Sequence, residues 1–153
     1  MIIGMSTMTR LVETGDHAPL VALDAAYALR RSAPTMVERA VLAFYARSGH
    51  AFVRDGDGVV CGFALAHAVW DGGRPAIRLA RLVAHDDAPG VLRALVEAVV
   101  KSAYDAAVYD LVAEVPTDDE AALAALTAVS FAPRPVVHLE RVLGSRVGER
   151  VAP

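Results

Sequence analysis

The stretch HDDAPGVLRALVEAVV, residues 85–100, holds the residues whose types and spacing say most about chemistry. A strand-like run, AIRLARLVA, leads into it and a long apolar helix pattern leaves it, so the loop between them presents a helix N-terminus. The first N–H groups of a helix have no partner inside it, and with the positive end of the helix dipole they suit an anion such as a phosphate. Gly90 favours close approach of a ligand to that backbone. Asp87 works against it. A carboxylate at the N-cap takes those N–H groups for itself, worth about 1 kcal/mol, and at about 4 Å from a bound phosphate it is opposed by roughly 4 kcal/mol in an effective dielectric near 20. Two readings stand side by side: a phosphate cradle, or a helix start sealed by its own carboxylate.

Other reactive side chains are scattered. His85, Asp86 and Asp87 are adjacent in the chain and cannot easily surround one ion, and no second cluster accompanies them, so no metal is expected. His67 follows Phe63 and Leu65 at period two, which reads as a hydrogen-bonded histidine on a core face. Cys61 sits among apolar strand residues with no base nearby, a buried and inert thiol. Tyr45, Arg47 and His50 gather at the end of a helix pattern, where they either meet a substrate or fix the turn.

The elements that must position these groups follow from periodicity and turn chemistry. A short strand over 9–12 precedes a helix with Asp16 as N-cap and Leu20, Leu23, Ala26, Tyr27 and Arg30 on one stripe. After Pro34 a second helix places Val37, Ala40, Val41, Phe44 and Tyr45 together and ends at Gly49. HAFVRDGDGVVCGFALAHAVW reads as a hairpin turning between Asp55 and Gly58, and Asp71, Gly72, Gly73 and Pro75 turn the chain into a third antiparallel strand. A helix over about 88–107, apolar on most faces and therefore deeply buried, is followed by a strand over 108–115. A helix over 118–129 has an acidic start that suits its dipole, PRPVVHLERVL makes a last strand over 133–143, and the tail from Gly144 is loose.

Composition bounds the function classes. The 153 residues suit one domain spanning 1–153, and 55% hydrophobic with 22% charged residues is too apolar for disorder. No run reaches the roughly 18 apolar residues of a membrane span, and the opening MIIGMSTMTR lacks the basic region of a secretion signal. One cysteine suits a reducing cytoplasm. The net charge is −3 and the arginines are dispersed, which does not make a nucleic-acid footprint.

The element order β-α-α-β-β-β-α-β-α-β, a mixed α/β (α+β) architecture with a mainly antiparallel central sheet flanked by helices, resembles the GNAT family of N-acetyltransferases. AFVRDGDGVVCGFALA is similar to that family's hairpin with its Gly-Phe pair, here Gly62 and Phe63. LVAHDDAPGVLRALVEAV falls where the family has its fourth strand and acetyl-CoA loop, and AEVPTDDEAALAALTAVSF fits the fifth strand and following helix. FYARSGHAFV, GFALAHAVW and AVVKSAYDAAVYDL resemble a small bacterial group of GNAT-like proteins of unknown function.

The resemblance implies acetyl-CoA, or another acyl-CoA, as co-substrate. The fourth strand at Val83 would pair with the pantetheine amides, and the loop N–H groups around Ala88, Gly90, Val91 and Leu92 would take the pyrophosphate. Of the family's basic-or-amide, glycine, small-residue pattern, this chain has Asp87, Gly90 and Leu92. The family's usual tyrosine acid falls on Leu126, which cannot donate a proton. The fourth strand lacks the glutamate base of some members, leaving Glu114 as the nearest catalytic carboxylate, or a solvated residue or arginine partner. An acyl transfer to an amine or peptide acceptor is one expectation. A non-catalytic GNAT domain acting as a ligand sensor or homodimer module is the other. Neither involves nucleic acid or a membrane.

Overall fold

The computed structural model describes residues 6–144. Five strands form one sheet in sequence order: β1 (Thr7–Leu11), β2 (Phe52–Gly56), β3 (Val59–Asp71), β4 (Arg74–Ala84) and β5 (Leu111–Ala113). Strands β1 to β4 pair antiparallel, whereas β5 lies parallel to β4. Helices α1 (His17–Arg31) and α2 (Arg39–Ala46) pack on one face, and α3 (Pro89–Asp105) and α4 (Glu120–Ala128) on the other. None of the described helices is long and apolar enough to cross a membrane.

Local chemistry accounts for the frame. The β2–β3 turn is Asp57–Gly58 with φ of 53° and 80°, the two-residue turn whose twist matches that of paired strands. Along β3, Phe63 and Leu65 enter the core beneath α1 and α2, while Ala64 and Ala66 enter the core beneath α3 and α4. This is the period of two with both faces covered. Gly62 sets how closely α3 approaches: a Cβ there would lie 2.6 Å from Val91 Cγ1 and 2.9 Å from the Val83 carbonyl oxygen.

Several expectations are corrected. Residues 133–143 make no strand among the described residues, although the apolar pattern is present; Val137 and Leu139 are 82% and 87% exposed. Pro133 and Pro135 lack the N–H groups that an added ladder needs. The fifth strand shrinks from 108–115 to three residues, because Ala107 turns with φ of 56° and Pro116 ends the run. Helix α3 is amphipathic rather than buried all round: Leu92, Leu95, Val96, Val99 and Ala103 are buried, while Arg93, Glu97 and Lys101 are exposed. In α2 the buried residues are Leu42 and Tyr45, and Phe44 is exposed. Asp16 stands at the N-cap position of α1 without capping it; its carboxylate accepts the Glu13 N–H and pairs with Arg10 at 2.8 Å. The tail beyond Gly144 lies outside the described residues.

Candidate functional site

Strands β4 and β5 stay together only from Ile77 opposite Leu111 to Leu79 opposite Ala113, with a last long contact from the Glu114 N–H to the Leu79 carbonyl at 3.4 Å. Beyond that point β4 continues over residues 80–84 with no strand among the described residues beside it on the β5 side. A bulge coincides with the parting: Leu65 pairs with Arg81 and Ala66 with Leu79, leaving Ala80 unmatched. Two parallel strands that separate expose a backbone edge of β4, and such an edge can pair with an extended, amide-bearing ligand.

The loop at the open end is a short 3-10 turn, His85–Asp87, followed directly by α3. Asp86 and Asp87 both take the left-handed conformation, with φ of 51° and 52°, which aspartate tolerates better than most residues. Ala88 occupies the N-cap position of α3, Pro89 opens the helix, and no side chain among the described residues caps the first turn. The Val91 and Leu92 N–H groups both donate to the Ala88 carbonyl at 3.1 Å, and the Ala88 N–H donates to His85. Of the expected loop donors, only the Gly90 N–H has no acceptor among the described residues. A Cβ on Gly90 would enter open space. The Val83 and Leu92 side chains are buried, so neither presents its side chain to a ligand.

Asp87 does not seal the start of α3. Its carboxylate turns away from α3 toward the end of α1, accepting Arg31 at 2.9 Å and Arg30 at 3.3 Å. Arg31 also donates to Asp119 at 3.2 Å and to the Asp118 carbonyl at 3.4 Å, so one guanidinium joins the loop after β4 to the start of α4. Arg30 reaches the Ala84 carbonyl at 3.4 Å.

Asp119, 1% exposed, caps α4 through the Ala122 N–H and accepts the Tyr27 hydroxyl at 2.9 Å. Burial, together with that bond, pushes the Tyr27 hydroxyl pKa well up, so it stays a donor. Arg81, from the part of β4 that β5 leaves unpaired, lies 5.1 Å over the Tyr27 ring and pairs with the buried Asp24. Three guanidiniums thus face three carboxylates, and the charge of Asp87 is neutralised from α1 rather than left to repel an anion. The adjacent arginines in ALRRS were the available sequence signal, but nothing in their spacing says which loop they meet.

The remaining candidates separate. Glu114 is half-exposed just beyond β5, and its carboxylate accepts Arg78 at 2.7 Å, the arginine-partner role; His138 stands 3.9 Å away. Leu126 is 4% exposed within the core shared by α3 and α4, so the tyrosine position of the family points into packing here. His67 packs edge-on to Phe44 and Tyr45, at 5.2 and 5.5 Å between ring centres, and its buried Nδ1 has no partner among the described residues. The expected hydrogen bond at that nitrogen is absent. Burial, and Arg78 opposite on β4, hold the His67 pKa below its ordinary value. Cys61 is partly buried and its thiol lies 3.4 Å from the Arg54 carbonyl. His85 meets Asp86 at 3.2 Å while Asp87 faces α1, so these three do not converge. Tyr45, Arg47 and His50 divide as well: Tyr45 packs in the core and His50 bonds Ser102 on α3 at 2.9 Å.

Comparison with known proteins bears on the fold. A family model described as a protein of unknown function, DUF1999, matches residues 9–152. None of the curated proteins compared with the chain matches it. Wild-type TTHA1254 from Thermus thermophilus is 36% identical, with a TM-score of 0.76 over 91% of this chain and 99% of that one. The aminoglycoside N-acetyltransferase AAC(6')-Iy, solved in complex with CoA, superposes with a TM-score of 0.75 at 17% identity, over 93% of this chain and 99% of that one. The ribosomal-protein-alanine N-acetyltransferase from Brucella melitensis biovar Abortus 2308 gives 0.70 at 18% identity, over 90% and 100%. At such identities the two acetyltransferases speak for the fold alone.

Proposed function

Because the chain belongs to the DUF1999 family and carries the GNAT fold, we propose that it binds acetyl-CoA or a related acyl-CoA and transfers the acyl group to an amine. One observation carries the proposal: β4 and β5 part beyond Leu79 and Ala113, next to an α3 N-terminus that no side chain caps. The residues present fit the co-substrate. Among the described residues, the edge of β4 through Val83 has no strand partner on the β5 side for the pantetheine amides to displace and the Gly90 N–H has no acceptor; Gly90 also faces open space, and Arg30 supplies a cation at the same loop.

In the transfer the amine nitrogen attacks the thioester carbonyl carbon, the N–C bond forms as the C–S bond breaks, and the proton that the nitrogen gives up goes to the departing thiolate. Positioning and backbone donors would supply most of the acceleration, since Leu126 brings no proton and Glu114 is tied to Arg78. These last two facts favour the second reading, a non-catalytic GNAT domain that acts as a ligand sensor or assembles as a homodimer. The readings part in one assay, release of free CoA thiol from acetyl-CoA across a panel of small amines and peptide N-termini. Amine-dependent release supports the enzyme. Binding without release supports the sensor, and absence of binding removes the enzyme and the acyl-CoA sensor, leaving the homodimer module.

A further inference from the structure

Away from the β4–β5 opening, a groove of about 790 Å³ runs between α3 and the paired strands β1 and β2. We propose that this groove is a binding site for a small amphiphilic carboxylate, a molecule with one carboxylate and an apolar body.

The shape comes from what covers the sheet. Helix α4 flanks α3 on the β4–β5 side and leaves the β1 edge of this face bare, so Leu11 is 50% exposed. Leu11 and Phe52 form an apolar floor, and α3 turns the small residues Ala94 and Ala98 toward it, which keeps the groove open. A volume of that order is ample for a small ligand.

Charge selects the ligand. Along the rim Glu97 is paired with Arg93, and Lys101 with Asp105, each at i,i+4 on α3. Arg54 alone has no carboxylate partner among the described residues. Its guanidinium is instead held by two neutral hydroxyls, Thr9 at 2.8 Å and Thr7 at 3.0 Å. Those bonds fix its plane while leaving N–H groups free, an arrangement suited to a carboxylate.

His50, 9% exposed, also lines the groove. Its Nδ1 meets Ser102 Oγ at 2.9 Å, and Ser102 donates its one proton to the Val99 carbonyl at 2.8 Å. The imidazole therefore gives its Nδ1–H to Ser102, leaving Nε2 as an acceptor with no partner among the described residues. Three residues separate His50 from Arg54, four steps along the chain or about 13 Å if fully extended, so the apolar body lies over Phe52 between a cation and a neutral ring. This inference is independent of acyl-CoA binding.

The test is titration of the full chain with octanoate, followed by amide chemical shifts and calorimetry. The expected result is saturable binding with shifts centred on Ala94 and Ala98, weakened about tenfold for octanamide and for Arg54→Met. Ala98→Leu, which fills the groove without touching Arg54, is expected to abolish binding. The proposal is overturned by no saturable binding at millimolar octanoate, by equal affinity in Arg54→Met or Ala98→Leu, by equal binding of inorganic phosphate, or by shifts centred on Gly90.

Discussion

Asp87 and Arg31 meet at 2.9 Å, across the space between the β4–α3 loop and the last turn of α1. The contact takes the one carboxylate that competes for the α3 N-terminus and faces it the other way. Arg31 also holds Asp119, so Asp87 is anchored to the same residue that fixes the start of α4.

Asp87→Ala leaves Arg30 and Arg31 short of one negative partner beside the loop. Acetyl-CoA affinity is expected to rise severalfold in this variant and to fall more steeply with salt than in the wild type. Dissociation constants at low and high ionic strength check this. Loss of binding would instead show that the clamp is needed to shape the loop.

Arg30 holds Asp87 at 3.3 Å and the Ala84 carbonyl at 3.4 Å, both long contacts, whereas Arg31 serves Asp87 and Asp119 at shorter distances. Arg30 is thus the cation freer to turn to a pyrophosphate. Arg30→Ala is expected to weaken CoA binding about tenfold and to leave binding of phosphate-free pantetheine unchanged, as competition titrations would show.

The sequence made the site's frame legible but not its electrostatics. Gly58 and Gly62, the helix start after Ala88 and the order of elements follow from turn chemistry and periodicity, which act over a few residues. The Arg31–Asp87 contact joins positions 56 residues apart, and only the assembled sheet and helices bring them together. For the same reason, the β-branched and apolar residues over 133–143 suggest a strand: composition records a preference and says nothing about whether a neighbour offers backbone groups to pair. Counting along α4 finds Leu126 but cannot tell that this side of the helix is core.

Gly62→Ala tests how closely α3 sits on β3. Its new methyl group would lie 2.6 Å from Val91 Cγ1 and 2.9 Å from the Val83 carbonyl oxygen, and the carbonyl has little room to move. A loss of about 1–3 kcal/mol in unfolding free energy is expected, measured by denaturant titration.

His67 links stability to pH. Its folded pKa lies below 6.5, chiefly through burial, so the unfolded chain binds the proton more readily. This contribution is fully present above the unfolded value and is lost as pH falls through the folded one. His67→Phe keeps a ring against Phe44 and Tyr45 and removes the titrating group. Its unfolding free energy is expected to fall less than the wild type's between pH 7 and pH 5, as denaturation at both pH values would show.

The opening between β4 and β5, beside the start of α3, is expected to take acyl-CoA. Calorimetric titration of the wild-type chain with acetyl-CoA tests it most directly. Saturable binding at one site per chain is expected, with pantetheine binding more weakly because it lacks the phosphates. No heat of binding at millimolar acetyl-CoA, in both the wild type and Asp87→Ala, would contradict it.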